Sequence, residues 1–176
     1  VVLFGDQLRA HGVYTAVCYD KDGNVKWEDT IDNVVTTVGK NLAFNTFLAG
    51  SSYTVTGPYM GLISATSFSA VSASDTMSSH SGWLEAGNAN APTYSGTRNT
   101  CVWSAASGGS ISLSASLTFT FTGSGTVTGA FINYGTGALS TIDNTGGTLW
   151  SAGQFTGGNK TVASTDQLVV SYTVSM

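Results

Sequence analysis

Charge is scarce in this chain. Six Lys+Arg and ten Asp+Glu make only 9% of its 176 residues charged, against about 25% in an average soluble domain. A net charge of -4 leaves no basic cluster to neutralise phosphates, so no nucleic-acid partner is expected. Long apolar runs are missing as well. No stretch approaches the roughly 20 residues that a helix needs to cross a bilayer, so no membrane partner is expected either. The two cysteines, Cys18 and Cys101, are too few and too far apart to define a disulfide framework. Val1-Val2-Leu3-Phe4 lacks a basic n-region and runs into Gly5-Asp6, which is far short of a secretory signal. The expectation is therefore two buried thiols, with a Cys18–Cys101 pair sterically open. Histidine occurs only at His11 and His80. Without a C-x-x-C or H-x-x-x-H pair, no metal and no cofactor is expected.

Small and hydroxylated residues take the place of charge. The chain has 23 Ser, 25 Thr and 22 Gly. Ten of its 16 charges fall in residues 1–40, and none lies between Arg98 and Asp143. Mixed surface charge opposes association. A surface with so little of it suits a protein covered by neighbours in an array, although an extracellular β-domain has a similar composition.

Patterning points to an all-β fold, a jelly-roll-like β-sandwich with one short helix. Gly12–Tyr19 alternates, with Val13, Thr15, Val17 and Tyr19 on one face and Tyr14, Ala16 and Cys18 on the other, as in a strand covered on both sides. Asp20-Lys-Asp-Gly-Asn24 supplies a turn, and Val25–Glu28 returns as the second arm of a hairpin. A third strand is expected over Ile31–Val38. The helix is expected over Gly39–Ala49, where Leu42, Phe44, Phe47 and Leu48 crowd one side and Gly50 ends it. It reads as a helix laid on the sheet. Further strands are expected near 59–65, 82–86, 97–105, 111–121, 126–134, 148–152 and 168–174. Ile111–Phe121 is the clearest, with apolar odd positions and Ser or Thr at every even one. The Ser/Ala-rich segment 64–81 is a long loop and a candidate for contact with a neighbour. Strands of this spacing indicate a sandwich, and the chain divides into an N-terminal arm, 1–11, and a single domain, 12–176.

Candidate chemistries are weak. Asp20-x-Asp-Gly-Asn24 resembles the start of a calcium loop, but Gly23 stands at the fourth place and Ile31 at the twelfth, so a hairpin turn is the better account. Asp75, Ser78 and His80 are of Ser/His/Asp type, but Ser is abundant and no G-x-S-x-G elbow occurs. Gly123-x-Gly-x-x-x-Gly129 leads into a strand, unlike a dinucleotide site. Asp75, Glu85, Asp143 and Asp166 are isolated, and nothing in the sequence pairs two of them for glycoside cleavage. Trp27, Trp83, Trp103 and Trp150 fit a sugar-stacking platform or, more simply, core and interface anchors. Asn159-Lys-Thr161 is a glycosylation sequon without a signal peptide to give it force. No catalytic residues are expected, and the protein is not expected to be an enzyme.

Several longer runs carry a resemblance. Trp27-Glu-Asp-Thr-Ile-Asp-Asn-Val-Val-Thr-Thr-Val-Gly-Lys-Asn-Leu42, Gly57-Pro-Tyr-Met-Gly-Leu-Ile63, Asp75-Thr-Met77, Gly82-Trp83 and Arg98-Asn-Thr-Cys-Val-Trp-Ser104 resemble small virion proteins encoded beside the capsid genes of tailed double-stranded DNA phages and prophages. Among these the chain is most similar to capsid cement, or decoration, proteins. The resemblance implies a jelly-roll-like fold and attachment to the exterior of the capsid, against the major capsid protein, as a dimer or trimer. It also implies assembly in the host cytoplasm. A tail or fibre component, or a carbohydrate-binding β-sandwich, remains the alternative. Residues 1–11 are apolar and then charged, and are expected to form an arm onto an adjacent subunit through Val1, Val2, Leu3, Phe4, Asp6 and Arg9, the alternative being an ordinary first strand.

Overall fold

The computed structural model describes residues 10–53 and 56–175. In chain order its elements are β1 (His11–Tyr19), β2 (Val25–Asp32), β3 (Val34–Val35), α1 (Thr37–Phe47), β4 (Tyr59–Ser64), β5 (Leu84–Glu85), β6 (Asn99–Thr100), β7 (Ser110–Ser112), β8 (Leu117–Thr120), β9 (Gly125–Tyr134), β10 (Thr148–Gln154), β11 (Lys160–Val162) and β12 (Gln167–Ser175). They form an all-β sandwich of two antiparallel sheets with one short helix. One sheet runs β2-β1-β12-β7, with β8 also on β12. The other runs β3-β10-β9-β4-β5, with β11 on β9 and β6 on β4. The first and last long strands lie side by side, antiparallel from His11↔Ser175 to Tyr19↔Gln167. This pairing closes the fold and ties the two ends of the described chain together.

The core lies between the sheets. Tyr14, Ala16 and Cys18 of β1 and Leu168, Val170 and Tyr172 of β12 face Met60, Leu62, Val127, Ala130 and Ile132 of the opposite sheet. Each fully buried aliphatic or aromatic side chain contributes about 1.5–3 kcal/mol through the surface it removes from water. Tyr14 Oη and Ser151 Oγ hydrogen-bond at 2.6 Å in the interior, so the sheets are joined by a polar contact as well as by packing. Close backbone approach matters in the second sheet. A Cβ on Gly129 would sit 1.8 Å from the Gly153 carbonyl oxygen, which only glycine avoids.

Several expectations need correction. β1 is covered on one face only, for Val13, Val17 and Tyr19 are half-buried and Thr15 is exposed. Ile31 belongs to β2, and β3 keeps only Val34 and Val35, because Thr36 turns out of the strand to cap the helix. The 111–121 run is two strands. Ser114 leaves the ladder and donates from its N–H to the Val102 carbonyl at 2.8 Å, so Ala115 is exposed. The strand expected over 97–105 shrinks to Asn99–Thr100, and β11 was not foreseen. His11, expected in the arm, lies in β1 and pairs with Ser175.

The helix differs most from expectation. It spans Thr37–Phe47, and Thr36 caps it by accepting the Gly39 N–H at 3.1 Å. The Thr36 hydroxyl in turn donates to the Leu149 carbonyl. Gly39 is the one buried residue of the helix, because a Cβ there would lie 2.8 Å from the Trp150 carbonyl oxygen. The helix is thus held by its first turn and by Ala43, which packs on the main core. Its C-terminal half stands off the sheet instead of lying on it, with Phe44, Phe47 and Leu48 in solvent.

Candidate interaction surface

Two surfaces stand out by what covers them. The first is the outer face of the β2-β1-β12-β7/β8 sheet. Register places Asp32, Val13, Thr173 and Ser112 in one row across it. Glu28, Val17, Val169 and Thr118 form another. Thr30, Thr15 and Ser171 lie between them. Hydroxyl groups bond across strands, Thr15 to Ser171 at 2.5 Å and Ser112 to Thr173 at 2.8 Å. In these three rows the charges, Glu28 and Asp32, both sit on β2 at one edge. Strands about 4.8 Å apart, rising about 3.3 Å per residue, give this face on the order of 600 Å². That is close to the ~800 Å² per partner of a standard interface.

The second surface lies under α1. Tyr53, Tyr134 and Trp150 form an edge-to-face aromatic series with ring centroids 5.9 and 6.0 Å apart. They line a groove of about 780 Å³ with Leu42, Phe44, Phe47 and Leu48 of the helix region. Ala10, His11 and Lys40 also reach it. The sequence pattern of α1 was visible, but its exposure was not. A row of apolar residues at helical spacing looks the same whether it meets a sheet or solvent.

The candidate chemistries map elsewhere. Asp75 accepts from Trp83 Nε1 and from the Ser72 N–H, both at 2.9 Å. His80 stacks on Trp83 at 3.8 Å, with Nδ1 3.0 Å from the Trp83 carbonyl. Both groups are therefore engaged with one tryptophan and not with each other. Trp83 anchors a second cluster with Ile63, Met77, Phe131, Leu149 and Ala152, over which Phe68 and Val71 of the 64–81 loop pack. The loop directs these apolar side chains inward.

Trp150 is in the main core, with Trp27 and Trp103 packed at its margin. Trp27 meets Phe155 edge-to-face and Trp103 meets Tyr172, so the four tryptophans form no common platform. Asp20 closes its turn by accepting from the Asp22 and Asn24 N–H groups at 2.9 and 2.8 Å. Hydrogen bonds from Asn24, first from its side chain, hold this carboxyl below the ordinary carboxylate range. Gly23 is left-handed at φ 83°, as the turn requires. Gly123 donates to the Thr93 carbonyl just before β9, which is turn chemistry.

The remaining carboxylates are structural. Glu85 lies in a two-pronged ion pair with Arg98, Nε to Oε1 at 2.8 Å and Nη2 to Oε2 at 2.6 Å. It also accepts the Asp143 N–H at 2.8 Å. Burial pushes the Glu85 carboxyl up, against the pull of Arg98 and that N–H. Arg98 donates further to the Leu139 and Asn144 carbonyls. The pair thereby fixes the loop 135–147 against β5 and β6. Asp166 is buried, bonded to Lys26 and to the Ala163 N–H. Asn159 accepts from Thr128 through its side-chain oxygen, and Lys160 bridges to Asp29.

Cys18 and Cys101 are buried free thiols. Burial pushes their pKa up to about 11 and about 12, the reverse of a reactive cysteine. Among the described residues no group of three His, Cys, Asp or Glu converges as metal ligands, and no helix is long and apolar enough to cross a membrane. Val1, Val2, Leu3, Phe4, Asp6 and Arg9 lie outside the described residues. No protein-family description, curated protein or solved structure matches the chain.

Proposed function

We propose that this protein is a structural component of a phage virion, bound to the outside of the capsid shell, where it reinforces contacts between major capsid subunits. The observation that carries the reading is the outer face of the β2-β1-β12-β7/β8 sheet, broad and free of charge except along one edge. Covering a charge on association carries a desolvation penalty that its new partner must offset. Thr, Ser and Val carry little of that penalty, and many weak contacts over such an area add up. The resemblance of the runs at 27–42, 57–63 and 98–104 to cement proteins supports the same assignment. The chemistry-bearing residues support it too, because Asp75, His80, Glu85 and Asp166 are occupied in holding loops together.

The test is binding to purified capsid shells that lack the protein. The wild-type chain is expected to co-sediment with shells. A Thr15→Lys/Ser171→Lys variant, which places charge in the middle of the face at exposed or half-buried positions, is expected to bind at least tenfold more weakly. Failure of the wild-type chain to bind any shell at saturating concentration would remove the proposal.

A further inference from the structure

We infer that residues 1–9 dock in the α1 groove of their own chain. The described chain begins at this groove. Ala10 and His11 line it, so the residues before Ala10 lead away from its edge. That edge is at the fixed end of the helix, because the Gly12 carbonyl accepts the Asn33 N–H at 3.2 Å and Asn33 stands three residues before the Thr36 cap. From there the lining passes Tyr134 and Trp150 to the projecting end of α1, where Phe44 is 47%, Leu48 70% and Phe47 86% exposed. Large apolar side chains standing together in water mark a surface that another group covers.

The length, composition and charge of residues 1–9 fit this surface. The 11 residues of α1 span about 16 Å at 1.5 Å per residue, and nine extended residues reach up to about 30 Å, enough to pass the whole helix. Val1, Val2, Leu3 and Phe4 stand six to nine residues before Ala10, which gives four apolar side chains the reach to cover Phe47 and Leu48. Asp6, four residues before Ala10, has the reach and the sign to meet Lys40, the one Lys, Arg, Asp or Glu among the described lining residues. Attachment then favours this occupant over a free one. A segment tethered at the edge of the groove is present there at an effective concentration in the millimolar range, well above that of any partner at micromolar protein.

Hydrogen–deuterium exchange of the full chain tests the inference. The amides of residues 43–48 are expected to exchange at least tenfold more slowly than in a chain lacking residues 1–9. The protection is expected to be independent of protein concentration over about 1–100 µM, the range in which a micromolar association would change. Phe4→Asp, in a chain of full length, is expected to speed the same amides, and Val102→Asp, at an exposed apolar residue elsewhere, to leave them unchanged. Exchange in β12, which pairs with β1 from His11 onward, checks that each variant keeps its fold. Equal exchange at 43–48 with and without residues 1–9, or indifference to Phe4→Asp, would overturn the inference. Protection that grows with protein concentration would assign the groove to a neighbouring copy and also overturn it. Docking does not rest on capsid attachment. A chain whose α1 exchange ignores the deletion but which binds shells would refute docking and leave the capsid reading standing.

Discussion

Arg98 and Glu85 meet as a buried two-pronged ion pair beside Phe131, on the face of the second sheet that points away from the main core, with Arg98 also donating to the carbonyls of Leu139 and Asn144. One buried guanidinium thereby joins β5, β6 and the loop 135–147. In a chain with so few charges, this pair is placed where a long loop needs a fixed geometry.

Replacing Arg98 with Met is expected to destabilise the fold by about 3–5 kcal/mol, because it leaves a carboxylate buried without its partner. The double variant Arg98→Met/Glu85→Gln is expected to recover only part of that loss, since the Leu139 and Asn144 carbonyls still lack their donor. Urea unfolding of the two variants against wild type measures both effects.

Tyr14→Phe removes one hydrogen bond between the sheets and leaves the packing of the ring on Tyr172, 4.3 Å between centroids, in place. The expected cost is about 1–2 kcal/mol, the range for an unsatisfied buried hydroxyl. A loss well above that in urea unfolding would mean that Ser151 also holds the geometry of β10.

Asp29 sets a pH dependence. Burial would raise its pKa, but hydrogen bonds from Lys160 and Thr156 and from the Thr30 and Gly157 N–H groups lower it to about 2. Its unfolded value is about 3.9. A depressed carboxylate stabilises the fold fully above the unfolded pKa, and the contribution is lost as pH falls from about 4 through 2. The wild-type urea midpoint is expected to fall over that window, and Asp29→Asn is expected to fall less steeply, while being less stable at pH 7.

The fold class was legible in the sequence because sheet periodicity is local. Tyr14-x-Ala16-x-Cys18 and Leu168-x-Val170-x-Tyr172 alternate with the period of a strand, and the structure pairs them, although the second face of β1, expected to be covered, is half open. Strand breaks were not legible. Ser114 follows the alternation of 111–121, yet it bonds to Val102, a choice set by a distant segment. The helix was legible in kind and within two residues at each end. Its exposure was not, because Gly39 acts through a close contact with Trp150 that no local pattern records. Asp75, Ser78 and His80 were visible as neighbours in the sequence, but whether His80 faced a serine or the Trp83 indole depended on the path of the 64–81 loop.

The central claim is attachment to the capsid exterior, and cryo-electron microscopy of the virion, with copy number from quantitative mass spectrometry, tests it most directly. The account predicts hundreds of copies on the outer shell, with the sheet carrying Thr15 and Ser171 against capsid subunits. A dozen copies or fewer, located at the tail, would contradict it.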